Sequence, residues 1–409
     1  MKTRVYAELR WSSATRVVVV LVFLAAIVLP AVDHFFHIAP AVALTEKRVL
    51  LGYPPLIVPT KKRHSPLTTV ADVIRNFPAK FEPAFNDQFG FRSSLVLANN
   101  WIKTFVLKVS PTPRIVIGRE GWYFLDEARD LLSDFRGKTV VPAADLDAWV
   151  QEIEARGAFC RERGIAYLFA IAPNKEDIYS EFLPPTIARL PRGLTRMDQV
   201  LRRFQQPQSR VEPIDLRPAI RERKSTGEKL YWKTDTHWTS LGALAGCNEI
   251  LNRLNARFPE IKPVPRETFP NLERPAFSGD LAEVLGFGGI IPEENVEIDV
   301  KGSDRSAGPV DSWMMEYPWC PQCQPRSYDP PRPASSYRLL FCADSFGIAI
   351  GRLLAGQFTR VLYLRPPSLF DARFHELLPR VVESERPDIL IDLIVERNLE
   401  KPPTHIFGR

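Results

Sequence analysis

The sequence predicts an α/β protein: a parallel sheet flanked by helices, with an N-terminal membrane anchor. Short apolar runs alternate with segments of helical periodicity over residues 142–258 and again over 339–395. Strands that alternate with helices favour a parallel sheet covered on both faces, because crossover helices connect its strands. Apolar runs with few polar interruptions are expected of strands buried on both sides. The third observation is an uncharged N-terminal run, which predicts the anchor.

The individual elements follow from apolar spacing and from glycine and proline at the ends. Helices are predicted over residues 94–109, 142–163, 196–204, 240–258, 348–357 and 369–385, and strands over 165–172, 211–214, 339–343, 360–364 and 388–395. Two β-rich runs flank Gly118 and Gly121, which predicts a hairpin over 115–125. Three segments lack regular signals: a stalk over 44–77, an aromatic-rich turn region over 81–92, and an irregular stretch over 259–337.

Size and charge limit the classes of function. The chain has 409 residues, of which 45% are apolar. About 360 residues remain beyond the N-terminal segment, enough for one large or two modest domains. The net charge of +6 is small for this length, and no zinc-ligand spacing occurs. We therefore expect no nucleic-acid role, no metal and no organic cofactor.

The N-terminal segment predicts export of the rest of the chain. Residues 17–32 carry no charge, four basic residues precede them between Lys2 and Arg16, and Asp33 follows. The run approaches bilayer length, and the positive-inside rule keeps its N-terminus in the cytoplasm. This predicts a single-pass anchor in the inner membrane with the body of the chain in the periplasm. The alternative is a signal peptide cleaved at the small residues 41–43.

Five cysteines need an account in an exported chain. Cys320 and Cys323 lie in a loop-rich stretch and predict a local disulfide. A metal site would need two further ligands nearby, and a redox pair would need a strand-to-helix context. Cys160, Cys247 and Cys342 lie in apolar surroundings and are predicted to be buried thiols.

A serine follows the predicted strand 339–343, in the turn Asp-Ser-Phe-Gly at 344–347. A serine at such a turn presents its hydroxyl at the carboxyl edge of the sheet, where unpaired helix amides can hold an oxyanion. Ser345 is therefore a candidate nucleophile. Asp and Ser are also common helix N-caps, so the turn alone allows a purely structural interpretation.

Asp235 and His237 supply the base that such a serine needs. They lie two apart in the polar segment 234–239, so an extended backbone points both side chains the same way. A carboxylate beside a histidine fixes the tautomer that accepts the serine proton. The structural alternative is that Asp235 or Thr239 caps the next helix. Together with Ser345, the pair favours catalysis.

The motif Asp-Thr-His-Trp-Thr-x-x-Gly-Ala at 235–243, with Asp-Ser-Phe at 344–346, resembles the SGNH-hydrolase-like domain of the alginate O-acetyltransferases, the AlgJ and AlgX proteins. Supporting motifs are Asn-Asp-x-Phe-x-Phe-Arg at 86–92, Gly-x-x-Gly-Trp-x-Phe-Leu at 118–125, Pro-Asn-Lys at 173–175, Gly-Asp-Leu at 279–281, Arg-Pro-Asp at 386–388 and Glu-Arg-Asn-Leu at 396–399. The predicted domains are a cytoplasmic tip and anchor over 1–43, a stalk over 44–76, this domain over 77–400 and a tail over 401–409.

The resemblance implies site residues. Ser345 would be the nucleophile, His237 the base and Asp235 the orienting carboxylate. The backbone amide of Ser345 is the first candidate for the oxyanion hole, and Asn174 and Arg397 are candidate oxyanion or substrate-binding groups. The alternatives are a turn role for Asn174 and an ion pair with the preceding glutamate for Arg397.

One position departs from the family pattern. The usual Gly-Asp-Ser is here Ala343-Asp344-Ser345, and a methyl group at the glycine position would tighten or block the approach to the turn.

The resemblance implies an O-acetyltransferase that moves an acetyl group through a serine acyl-enzyme onto hydroxyls of a bacterial, alginate-like exopolysaccharide. It also implies a multipass membrane acyltransferase as the partner that supplies the acetyl group. One alternative is a carbohydrate acetylesterase with the same triad, and another is a non-catalytic polysaccharide-binding scaffold. The aromatic residues Trp232, Trp238, Trp313 and Tyr337 either line a sugar groove or pack inside the domain.

Overall fold

The computed structural model describes residues 12–36, 38, 51–53, 66–127, 129–207, 209–299 and 325–408. The chain divides into two compact units. The N-terminal unit comprises residues up to 111 together with 283–288, and the sheet unit comprises 112–282 and 289–409. The predicted disulfide of Cys320 and Cys323 lies outside the described residues, as does Trp313. The predicted domain limits of 77 and 400 stay predictions.

The N-terminal unit is helical. Its helices are α1 (Ser13–Phe36), α2 (Pro66–Gln88) and α3 (Arg92–Trp101), and a π-helical turn over Ile102–Val106 continues α3. Helix α1 is long and apolar enough to cross a membrane by length and composition.

Residues 66–88 form the helix α2. The prediction of a stalk over 44–77 and of a turn region over 81–92 is therefore wrong where these segments fall within α2. Phe77, Phe81 and Phe85 recur four apart, so their rings stack along the helix with centroids 5.1 and 5.7 Å apart. Pro78 and Pro83 lie inside the same helix. Proline is normally a helix breaker, and this obscured the aromatic spacing in the sequence.

The sheet unit contains the remaining elements. Its strands are β1 (Ile115–Ile117), β2 (Tyr123–Leu125), β3 (Ala166–Ala172), β4 (Ile214–Asp215), β5 (Asn271–Phe277), β6 (Glu293–Ile298), β7 (Arg326–Tyr328), β8 (Arg338–Ala343), β9 (Arg360–Leu364) and β10 (Ile389–Val395). Its helices are α4 (Leu131–Phe135), α5 (Ala143–Glu162), α6 (Lys175–Ile178), α7 (Pro185–Ala188), α8 (Arg196–Phe204), α9 (Arg217–Lys224), α10 (Ser240–Asn255), α12 (Gly347–Leu354) and α13 (Ala372–Glu385); α11 (Asp280–Val284) begins in this unit.

Within the described residues, six strands form the central sheet in the order β4-β3-β10-β8-β9-β7. All neighbours are parallel except β7, which runs antiparallel to β9 at the edge. Alternate residues of β8 pack on opposite faces: Phe341 lies in the cluster with α10 and α12, and Leu340 in the cluster with α5 and α13. The predicted α/β fold with a parallel sheet flanked by helices is confirmed.

Strand register brings three chain segments to one edge of the sheet. Val395 of β10 lies opposite Ala172 of β3, and Leu393 lies opposite Ala343 of β8. The carboxyl ends of β3, β10 and β8 are therefore adjacent, and the residues that follow them meet at this edge.

Most predicted boundaries agree with the structure within a few residues, including the hairpin β1–β2. Residues 259–299 and 325–337 are more regular than predicted, because β5 and β6 pair antiparallel and β7 extends the sheet. Charged residues and a proline interrupt the apolar pattern of β5 and β6, which removes the signal of a strand. Cys160, Cys247 and Cys342 are buried free thiols, as predicted.

Candidate active site

Ser345 lies in the turn between β8 and α12, and Asp344 fixes this turn. The Oδ1 atom of Asp344 accepts a hydrogen bond from the Phe346 amide at 2.9 Å. Its Oδ2 atom accepts from the Val395 amide and from Asn398 Nδ2, both at 2.7 Å. Burial raises the pKa of Asp344, although these donors oppose the rise. The turn is thereby tied to the end of β10, with the Ser345 side chain at the sheet edge.

The methyl group of Ala343 lies beneath the turn. Ala343 is fully buried, and a Cβ added at Gly347 would overlap the Cβ of Ala343. The methyl group therefore occupies space that a glycine on the first turn of α12 leaves open. The effect of this methyl group on the approach to Ser345 stays a prediction.

Asp235 and His237 lie in a tight loop before α10. The Thr239 amide donates to Leu230 O at 2.8 Å, and the Trp232 amide donates to His237 O at 3.2 Å, which closes the loop at its base. Thr239 caps α10, since its Oγ1 accepts from the Gly242 amide. The structural alternative assigned the helix cap to Asp235 or Thr239, and the structure shows that Thr239 makes it. Asp235 does not cap this helix.

Two buried charged residues hold this loop from outside. Lys175 is 3% exposed, and its ammonium donates to the carbonyls of Trp232, Lys233 and Asp235 at 3.0, 3.1 and 2.7 Å. Glu293 accepts from the Lys233 and Thr234 amides at 2.7 and 2.9 Å. Desolvation lowers the pKa of Lys175 to about 8, against the opposing charges of Asp235 and nearby carboxylates. The loop backbone is therefore saturated with hydrogen bonds from buried groups.

Asp235, His237 and Ser345 form one hydrogen-bonded chain. His237 Nδ1 lies 2.7 Å from Asp235 Oδ1, and His237 Nε2 lies 2.8 Å from Ser345 Oγ. A carboxylate can only accept, so Nδ1 carries the proton and Nε2 presents a lone pair to the serine hydroxyl. Burial opposes ionisation of Asp235, but the hydrogen bond and charge of His237 and two backbone amides lower its pKa to about 2. The arrangement can remove the Ser345 proton.

Asp280 supports the same carboxylate. The Asp280 amide donates to Asp235 Oδ2 at 2.9 Å, and the Asp280 carboxylate accepts from the amide and hydroxyl of Thr236 at 2.8 and 2.7 Å. Gly279 permits this contact, because a Cβ there would overlap the backbone of Thr234 and Asp235. Asp235 is therefore fixed by donors on both of its oxygens.

Asp235, His237 and Asp280 bring ligand atoms within 4.8 Å of one another, a spacing that a metal ion can use. Their facing atoms already have partners: His237 Nδ1 donates to Asp235, and the Thr236 hydroxyl donates to Asp280 Oδ2. These hydrogen bonds account for the cluster, and we assign it no metal.

The predicted oxyanion groups differ in their surroundings. Within the described ranges, the Ser345 amide donates no hydrogen bond, so it is available to an oxyanion beside Oγ. The Asn174 amide donates to Glu396 Oε2 at 3.1 Å, whereas its side chain has no hydrogen-bond partner in the described part of the chain.

Arg397 does not form the predicted ion pair with its acidic neighbour. Glu396 is 1% exposed and accepts from Asn174 and Thr195. The Arg397 guanidinium lies 5.1 Å above the ring of Phe346, and no carboxylate among the described residues pairs with it. Phe346 in turn contacts the His237 ring, at a centroid distance of 5.1 Å. Arg397 and His237 therefore both contact the ring of Phe346.

A cavity of about 150 Å³ adjoins the loop. Its lining includes Asn174, Lys175, Thr236, Glu396 and Arg397. The candidate substrate residues Asn174 and Arg397 thus share one cavity. By contrast, Trp232 and Trp238 are 6% and 4% exposed, which favours packing over a sugar groove for both.

The sequence predicted that Asp235, His237 and Ser345 act together, but it assigned no role to Lys175, Asp280 or Glu293. Lys175 and Asp280 lie in the motifs Pro-Asn-Lys and Gly-Asp-Leu, so the family pattern was the available signal. Glu293 begins an acidic strand in the stretch interpreted as irregular, and no local pattern distinguishes it.

The sequence of this chain is similar to that of known proteins. Residues 115–299 match the sequence profile of the family described as "SGNH hydrolase-like domain, acetyltransferase AlgX". A "Probable alginate O-acetylase AlgJ" of Pseudomonas putida is 31% identical over 137 residues, which cover 32% of this chain and 31% of the relative. Both matches are to the alginate O-acetyltransferase family, which this part of the chain resembles. Its AlgX-type match includes the loop of Asp235 and His237 and ends before Ser345.

Two further comparisons give the extent of the similarity. A second "Probable alginate O-acetylase AlgJ", from Pseudomonas aeruginosa, is 27% identical over 184 residues, which cover 42% of this chain and 41% of the relative. The match thus spans well under half the length of either curated relative. Among solved structures, the O-acetyltransferase domain of Pseudomonas putida AlgJ is 17% identical, with a TM-score of 0.45 over 71% of this chain and 93% of that domain.

Proposed function

We propose that this protein is an O-acetyltransferase that moves an acetyl group, through an acetyl-serine at Ser345, onto hydroxyls of an alginate-like exopolysaccharide. The observation that carries the proposal is the continuous hydrogen-bonded chain from Asp235 through His237 to Ser345 Oγ. Similarity to the alginate O-acetyltransferases supports the acetyl group and the polysaccharide. The triad geometry supports a covalent serine intermediate.

In the first half-reaction, Ser345 Oγ attacks the carbonyl carbon of the acetyl donor as His237 Nε2 takes the hydroxyl proton. The tetrahedral oxyanion accepts a hydrogen bond from the Ser345 amide. Asp235 stabilises the imidazolium through Nδ1. Collapse of the intermediate breaks the bond to the leaving group, which receives the proton from Nε2 and leaves acetyl-Ser345.

In the second half-reaction, a sugar hydroxyl gives its proton to His237 Nε2 and attacks the acetyl-serine. Collapse restores the Ser345 hydroxyl and releases the acetylated sugar. Water in place of the sugar would make the same triad an acetylesterase, so the acceptor alone separates the two activities. We assign acceptor binding to Asn174 and Arg397, because both line the cavity beside Thr236.

The proposal is tested by intact mass of the full-length protein after brief exposure to 4-nitrophenyl acetate. Ser345→Ala is the test variant, and Ser336→Ala is the matched control, because Ser336 is an exposed serine outside the triad. One added acetyl group should map to Ser345 in the parent and the control, and be missing in Ser345→Ala.

The fate of the adduct separates the alternatives. An acetyl-serine that persists in water and clears when an oligosaccharide is added supports a transferase. Rapid clearance in water alone supports the esterase. A folded parent protein that forms no adduct would contradict both and favour the non-catalytic scaffold.

We propose that α1 is a retained inner-membrane anchor with the sheet unit in the periplasm. Cleavage after residue 43 would separate α1 from contacts that it makes with the following chain: Asp33 Oδ2 accepts from the Phe91 amide at 2.6 Å, and His34 Nδ1 donates to Gln88 O at 2.9 Å. The mass of the protein extracted from inner membranes tests this, since a chain that starts beyond residue 43 would contradict it.

We also propose that a multipass membrane acyltransferase supplies the acetyl group. Family resemblance supports this partner, and an acetyl donor made in the cytoplasm must cross the membrane to reach a periplasmic serine. Crosslinking of the full chain in membranes, followed by mass spectrometry of membrane-protein partners, tests it.

A further inference from the structure

Helix α3 and the residues that continue it expose an unusual amount of apolar surface. Six large side chains of α3 and the continuing chain are each between 48% and 59% exposed. We call this set the apolar face, and its members are Leu95, Trp101, Ile102, Val106, Leu107 and Val109. Soluble surfaces rarely keep so many neighbouring large apolar residues in water, so the face needs a covering partner.

The other side of this helix is already packed. Asn100 Nδ2 donates to Leu285 O at 2.8 Å, and the rings of Phe105 and Phe287 lie 5.4 Å apart. Thr104 is 2% exposed. The apolar face is therefore the outward side of a helix whose inner side contacts residues of the same unit.

The start of α3 is fixed to the end of α1. The Asp33 carboxylate accepts from the Phe91 amide, one residue before α3. Gly90 lies so close to the Pro30 carbonyl that an added Cβ would overlap it. Because uncharged residues end at 32, Asp33 would lie where α1 leaves the bilayer. The apolar face thus begins at the membrane surface.

The charges around the face suit an anionic bilayer. Residues 93–109 include Lys103 and Lys108 and no acidic residue, and Arg92 at the start of α3 pairs with the buried Asp87. Lysines beside an apolar stripe that contains tryptophan are typical of helices that lie in the lipid interface. A surface that binds another protein needs no such uniform sign of charge.

From continuity with α1 and from this charge, we infer that the apolar face lies in the surface of the bilayer that α1 enters. The side chains of Trp101, Ile102 and Val106 are then immersed at the level of the headgroups and upper acyl chains, and the lysines face the phosphates. The inference assumes that α1 is retained and is independent of the proposed chemistry at Ser345.

The test uses the full-length protein in vesicles of phosphatidylcholine and phosphatidylglycerol, with and without lipids brominated near the glycerol end of the acyl chains. The fluorescence of Trp101 is obtained as the difference between the parent and Trp101→Phe, a variant that keeps the face apolar. The same difference for Trp149→Phe is the control, because Trp149 is 1% exposed and lies in the sheet unit.

The Trp101 signal should lose most of its intensity in brominated vesicles and resist acrylamide in water, whereas the Trp149 signal should resist both quenchers. Quenching of Trp101 by acrylamide and not by brominated lipid would place the face in water and overturn the inference. Resistance of Trp101 to both quenchers would show that protein covers the face, and would overturn the inference in favour of a second copy of this chain.

Discussion

Replacement of Asp235 by asparagine tests the role of the carboxylate without changing its shape. Both oxygens of Asp235 accept hydrogen bonds: Oδ1 from His237 Nδ1 and the His237 amide, Oδ2 from the Asp280 amide. An asparagine has one acceptor, so each orientation of its amide group leaves an NH₂ facing a backbone N–H.

The two orientations have different consequences for His237. With its oxygen towards the ring, asparagine keeps the reactive tautomer but removes the charge that stabilises the imidazolium. With its NH₂ towards the ring, it donates to Nδ1, so Nε2 carries the proton and cannot accept from Ser345. Loss of an effective general base costs about 10²-fold in rate, and a wrong tautomer about 10⁴-fold. We expect Asp235→Asn to reduce Ser345 acetylation within that range.

The assay is the rate of Ser345 acetylation by 4-nitrophenyl acetate, with the melting temperature measured in parallel. Asp280→Asn is the matched control. Its oxygen can still accept from the Thr236 amide, and its NH₂ can donate to the Thr236 hydroxyl, which accepts as well as donates. The control should stay within about tenfold of the parent. Retention of a tenth of the parent rate by Asp235→Asn, or an equal loss in Asp280→Asn, would refute the reasoning.

Two further substitutions test how the site is held. Lys175→Met should lower Ser345 acetylation, because three loop carbonyls lose their donor. The pKa of Lys175 is about 8 against 10.5 for an exposed lysine, so the cost of burying its charge is present below pH 8 and relieved as the pH rises towards 10.5. The free energy of unfolding, measured by urea titration, should therefore rise in the parent relative to Lys175→Met by about 3 kcal/mol between pH 8 and pH 10.5. A difference between the two proteins that stays constant with pH would contradict this. Gly347→Ala should destabilise the protein by about 1–3 kcal/mol and slow acetylation, because its methyl would overlap that of Ala343. The double variant with Ala343→Gly should recover both the melting temperature and the adduct, and a double variant as impaired as the single one would be evidence against this packing.

The sequence predicted the sheet unit well because its strands are buried on both faces and read as apolar runs. β8, β9 and β10 were located to within a residue or two for that reason. Helix α2 was missed because Pro78 and Pro83 suggested a break, and β5 and β6 because their residues do not alternate. Strands and helices can be located from the sequence where burial dictates the residue type, and they are missed where burial does not constrain it.

The candidate site, too, was predicted from the sequence only in part. The side chains proposed to react, Asp235, His237 and Ser345, were named from their types and spacing. Contacts made by residues distant in the chain could not be foreseen. Lys175 reaches a loop about sixty residues later, and the orientation of the Ala343 methyl depends on a glycine of the next helix. Such contacts are set by the register of β3, β10 and β8, which no local pattern contains.

The proposed base and the proposed nucleophile are held in place by different sets of contacts. Ser345 is fixed by a turn that the sheet itself orients, through Asp344 and the end of β10. His237 follows no sheet strand directly; its loop is held by the buried charges of Lys175 and Glu293. The order of the three proposed triad residues along the chain is then immaterial, because only the final geometry matters. Substitutions at the loop supports should therefore impair proton transfer more than the fold of the sheet, which distinguishes them from substitutions beneath the turn of Ser345.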